Sequence, residues 1–70
     1  MSKGTLKISL KAARVNAGLT QEQTAKKLGI TERTYWHWEQ DPSQISALVQ
    51  DKLSDIFDIS IDHINFLPKD

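Results

Sequence analysis

Seventy residues make one domain with a small core, and the chain has no cysteine for a disulfide or a thiolate-bound metal, so helix packing must supply its stability. Nine basic and nine acidic residues cancel to a formal charge of zero, which excludes a uniformly basic nucleic-acid binder, and no apolar run approaches the roughly 18 residues of a membrane span. The charge is divided along the chain, however: Met1 to Trp38 carries seven basic residues (Lys3, Lys7, Lys11, Arg14, Lys26, Lys27, Arg33) against Glu22 and Glu32, hence +5, while Glu39 to Asp70 carries seven acids against Lys52 and Lys69, hence −5.

Met1 to Gly4 has no apolar pattern and is read as a mobile end. A first helix is predicted from Ser9 or Leu10 to Ala17, with Ser9 as cap, Leu10, Ala13 and Ala17 at helical spacing, and Gly18 at the left-handed position after it. Thr20 and Gln23 form a capping box that starts a second helix, whose inner face is Gln21, Thr24, Ala25 and Leu28. Gly29 supplies the turn and Thr31 caps a third helix, Glu32 to Glu39 or Gln40, which must end there because Pro42 disfavours helical geometry at Asp41. A fourth helix fits Ser46 to Phe57, with Val49, Leu53, Ile56 and Phe57 on one stripe. A short fifth fits Ser60 to Phe66 and stops near Pro68.

The run from Leu19 through Thr20, Ala25, Gly29 and Tyr35 to Glu39 resembles the helix-turn-helix of the Cro and phage-repressor (XRE-like) family. Ala25 is small where the third helix crosses the second, Gly29 makes the turn, and Leu28, Ile30, Tyr35 and Trp38 close a core beneath the crossing. The resemblance implies an all-α, lambda-repressor-like bundle of about five short helices over residues 1–70, with the helix-turn-helix unit at 20–39. It further implies double-stranded DNA as partner, a repressor of phage or bacterial type acting in the cytoplasm, and no cofactor.

On the third helix, at about 100° per residue, Tyr35 and Trp38 share one face while Arg33, Trp36, His37 and Gln40 share the opposite one, with Glu32 at its N-terminal edge. In the family the outward face enters the major groove, which nominates Glu32, Arg33, Trp36 and His37 as base readers. Arg33 suits guanine O6 and N7, Glu32 suits cytosine N4, and Trp36 suits a thymine methyl. Gln21 matches a position that clamps phosphate at a helix N-terminus, and Thr34 can do the same from the third helix. Arg14 and Glu39 match a family pair in which the acid holds the arginine against the helix junction; Arg14 is read as structural first and phosphate-binding second.

Three departures from the family pattern stand out. Thr24 replaces a larger apolar residue, which predicts looser packing of the second helix. Tyr35 replaces an aliphatic one, so its hydroxyl needs a partner or a route to water. The loop after Glu39 has no Lys or Arg before Asp51, which predicts weaker non-specific binding than in a strongly basic relative, with a shallower salt dependence. A second reading is a protein-interaction module that keeps the fold without reading DNA, supported by the zero net charge, the acidic loop and the exposed Trp36. Ile61, Phe66 and Leu67 either form a homodimer contact or fold back on Phe57 and Ile59. No catalytic set and no metal site are read; His37 and His63 are too isolated to share a metal.

Overall fold

The computed structural model describes residues 7–67. The expectations for Met1 to Gly4 and for a stop at Pro68 lie outside these residues. Four α-helices carry the architecture: α1 (Leu10–Asn16), α2 (Gln21–Leu28), α3 (Glu32–Gln40) and α4 (Ala47–Phe57). Each starts where a hydroxyl side chain accepts a backbone N–H three residues on, from Ser9, Thr20, Thr31 and Ser46 respectively. The first helix closes through Ala17 with Gly18 at φ +76°, a left-handed position that glycine occupies without a Cβ penalty.

Pro42 ends α3 as expected. Asp41 takes an extended φ of −142°, and a single 3-10 turn, Pro42–Gln44, follows. Asp41 braces that turn: one carboxylate oxygen accepts from the Ser43 hydroxyl at 2.6 Å and the other from the Gln44 amide at 3.3 Å. Those hydrogen bonds, the Ser43 hydroxyl foremost, hold its carboxyl below the ordinary range. Pro42 and Ile45 are both buried, so the loop closes the core instead of merely spanning two helices.

The expected fifth helix does not form. Ser60 caps only one 3-10 turn, Ile61–His63, and the chain then extends as β2 (Ile64–Asn65) alongside β1 (Ile8–Ser9). The strands pair in parallel, Ile8 opposite Ile64 and Ser9 opposite Asn65. Ile61 and Ile64 are three apart and so fit a helical stripe, but burial from Ile64 onward alternates: Ile64 buried, Asn65 exposed, Phe66 half-buried, Leu67 exposed. A period of two belongs to a strand. The fold is therefore four helices and two 3-10 turns with a minimal parallel ribbon joining the two ends of the described chain.

The core is Leu10 and Ala13 of α1, Ala25 of α2, Tyr35 of α3, Ile45, Leu53 and Phe57 of α4 and its approach, and Ile64. Val49, Ile56 and Trp38 are half-buried at its margin, so the aromatic centre beneath the helix crossing is Tyr35 and Trp38 flanks it. Thr24 is fully buried despite its hydroxyl. Its hydroxyl donates to the Thr20 carbonyl at 2.9 Å, which satisfies the polar atom inside the helix and lets the side chain be fully buried.

Candidate nucleic-acid interface

The α2–α3 unit is fixed at each corner by local chemistry. The Thr20 hydroxyl accepts from the Gln23 N–H at 3.0 Å, and the Gln23 side-chain oxygen accepts from the Thr20 N–H at 2.9 Å. This closes the capping box read from the sequence. Gly29 sits at φ +73°, and the Ile30 N–H reaches back to the Ala25 carbonyl at 3.0 Å, so the chain reverses immediately. Thr31 then caps α3 by accepting from the Thr34 N–H at 3.1 Å. Ala25, 2% exposed, lies within the core at the crossing as its small side chain requires.

The outward face of α3 carries Glu32, Arg33, Trp36 and His37, all exposed. These four and Gln21 line one open depression of about 450 Å³. Trp36 retains 44% of its surface, and its ring meets that of His37 edge-on with centroids 5.0 Å apart. The depression thus combines a cation, an anion, an amide and two aromatic rings, which together can donate, accept and make apolar contact along one helix face. Thr34 is exposed beside this face. Its hydroxyl accepts from Thr31 at 3.0 Å, leaving its own O–H free to donate.

Behind the outward face of α3 lies a polar cluster. Arg14 Nε donates to Glu39 Oε2 at 2.6 Å and its Nη1 donates to the Leu19 carbonyl at 2.8 Å. Gln21 Nε2 donates to Glu39 Oε1 at 3.0 Å. Arg14 is only 8% exposed, and its guanidinium is turned to Glu39 and the Leu19 carbonyl. Burial alone would push the Glu39 carboxyl up, but the hydrogen bond from Arg14, the nearby Tyr35 phenol and the Gln21 amide outweigh it and hold the group below its ordinary 4.5. The same hydrogen bond to Glu39 raises Arg14 against the desolvation that opposes it.

Tyr35 completes the cluster on the inner side. Its side chain has no exposed surface, and its hydroxyl stands beside the Arg14–Glu39 pair without a hydrogen bond of acceptable geometry. The partner or water route expected for it is therefore not provided by protein atoms. Burial, then the neighbouring carboxylate, push the phenol far above its ordinary range, so it stays neutral.

Two links within the cluster were not read from the sequence: the Gln21–Glu39 hydrogen bond and the approach of Tyr35 to the ion pair. The first joins α2 to α3 across 18 residues and needs the turn's geometry to be known, whereas Tyr35 lies four residues before Glu39 on α3 itself. At the far end, Phe66 packs against the core and Leu67 is 67% exposed. Ile61 shares with both a shallow groove that also includes Lys7 and Asp62. Among the described residues no group of three His, Asp or Glu side chains could hold a metal ion, and no helix is long and apolar enough to cross a membrane.

A capped helix, a left-handed glycine turn and a second helix presenting a polar and aromatic face define the helix-turn-helix class of DNA-binding domains. The family model described as helix-turn-helix, HTH_3, matches residues 10–64, and the chain belongs to this Cro/C1-type, XRE-like family. Membership implies DNA as partner, ordinarily in the control of transcription, and the family is typically non-enzymatic. No curated protein and no solved structure is significantly similar to the chain.

Proposed function

We propose that the chain is a sequence-specific transcriptional regulator that inserts α3 into the major groove of double-stranded DNA. The observation that carries this reading is the gathering of Glu32, Arg33, Trp36 and His37 with Gln21 around one open depression on the outward face of α3. Arg33 takes a guanine through O6 and N7, Glu32 accepts from a cytosine amino group, Trp36 packs on a thymine methyl, and His37 donates to a base or a phosphate. Gln21 and Thr34 hold flanking phosphates. Glu39 with Arg14, and Ala25 with Gly29, keep the two helices in register for that docking.

Bound in this way, the protein acts as a repressor in the cytoplasm of a bacterial host, by occupying the groove against competing proteins. Two copies bind half-sites about 34 Å apart, joined through the end that carries Ile61, Phe66 and Leu67. Selection of bound duplexes from a random-sequence pool tests the reading. An enriched palindrome, lost on Arg33→Ala, is the expected result; no enrichment at any salt concentration rejects it.

One observation favours a second reading. A tryptophan with 44% of its surface exposed is a common anchor of protein interfaces. In that case Trp36→Ala abolishes a protein complex, and the selected pool shows no preferred sequence.

A further inference from the structure

Glu39 is 7% exposed and its two oxygens serve two different elements. Oε2 receives Arg14 Nε from α1 at 2.6 Å, while Oε1 receives Gln21 Nε2 from the first turn of α2 at 3.0 Å and Arg14 Nη2 at 3.4 Å. A carboxylate only accepts, so the Gln21 bond can be made only by the amide nitrogen. That settles which end of the carboxamide faces inward. An unconstrained glutamine turns either end toward a ligand. Here the second N–H and the carbonyl oxygen of Gln21 are left for the outward side, where the residue lines the depression with Glu32, Arg33, Trp36 and His37.

The acid is itself held. Arg14 grips Glu39 and, through Nη1, the Leu19 carbonyl, two residues before Gln21. The approach to α2, its first turn and the last turn of α3 are thereby tied to one buried charge pair. The backbone N–H groups of Gln21 and Glu22 open α2 and have no intrahelical partner, so a phosphate approaching Gln21 meets donors from both main chain and side chain.

We propose that Glu39 is a positioning residue for DNA binding: it orients the Gln21 amide so that the remaining N–H meets a phosphate, in addition to neutralising Arg14. The proposal rests on the DNA-binding reading above. Binding strength at Gln21 then depends on a residue that touches no DNA. Because Gln21 is uncharged, its loss weakens binding without changing the number of counterions released.

The test is a double-mutant cycle in DNA affinity on a duplex enriched from the random pool, with Gln21→Ala and Glu39→Gln singly and together. Gln21→Ala is expected to weaken binding about fivefold in the wild-type background, with an unchanged salt slope, and less than about twofold beside Glu39→Gln. Equal losses in both backgrounds overturn the proposal, because a merely structural Glu39 predicts no coupling. Should Glu39→Gln fail to fold, the wild-type chain decides alone. Its Gln21 side-chain N–H signals must shift as the Glu39 carboxylate is titrated with acid and shift again on adding the duplex; signals that ignore either step overturn the assignment. Wild-type protein that binds no duplex rejects the DNA reading itself, whereas firm binding with an uncoupled cycle rejects the positioning role only.

Discussion

Replacing Tyr35 by phenylalanine should stabilise this protein. The hydroxyl is fully buried and has no protein hydrogen-bond partner. A buried hydroxyl without a partner forfeits its water hydrogen bonds, at a cost of about 1–3 kcal/mol. Phenylalanine keeps the ring and its packing, and the void left by one oxygen atom returns part of that gain. The neighbouring Glu39 carboxylate keeps its bonds from Arg14 and Gln21, so no second group is orphaned by the change, although the help the phenol gives its ionised form is lost and returns a further part of the gain. A net gain of about 1 kcal/mol follows, which in a domain of this size raises Tm by about 4–8 °C. Thermal and urea unfolding followed by circular dichroism measure it, with Tyr35→Leu as the control that loses ring volume and should destabilise. A Tyr35→Phe variant that is less stable than wild type by 1 kcal/mol or more refutes the reasoning, since the hydroxyl would then be making a bond worth keeping.

Further outcomes follow from the same cluster and its frame. Arg14→Met leaves the Glu39 carboxylate buried without its cation and should cost about 3–5 kcal/mol in urea unfolding. The Glu39 carboxyl is held below its ordinary 4.5 in the folded chain, so its contribution is fully present above that pH and is lost as pH falls through the lowered value. The urea midpoint should therefore drop on acidification in that range, and Glu39→Gln should flatten this part of the profile. Gly29→Ala meets no atom within 4 Å of its new Cβ, so only the left-handed backbone resists it. A loss of about 1–2 kcal/mol is expected, and Thr24→Val, which tests packing instead, should not mimic it. Arg33→Ala, on the exposed face, should leave the melt unchanged while costing about 1–3 kcal/mol of binding and relaxing preference at one base pair of the selected site.

The helices were legible because their signals are local. Four hydroxyl caps, the Thr20–Gln23 reciprocal pair, Gly18 and Gly29 in left-handed geometry, and Pro42 after α3 each act within a few residues. The outward set on α3 was legible for the same reason, since one helix's periodicity places Glu32, Arg33, Trp36 and His37 together. The segment from Ser60 to Phe66 is not legible because Ile61 and Ile64 satisfy a three-residue spacing, and pairing with Ile8 depends on where the opposite end of the described chain lies. The Gln21–Glu39 bond joins two helices across a turn, and neither residue type demands the other.

The β1–β2 ribbon has a kinetic consequence. Its two pairs join residues near opposite ends of the described chain, whereas the capped helices and the Gly29 turn are built from neighbours. Local structure therefore forms before this clasp is closed, because closing so long a loop costs entropy that only the assembled helices can offset. Interactions made late govern how fast a native chain comes apart more than how fast it assembles. Loosening Ile8 or Ile64 should thus shorten the lifetime of the folded state while leaving the refolding rate nearly untouched. The resistance of the α2–α3 unit to slow opening and proteolysis is in this sense set by two dipeptides remote from it.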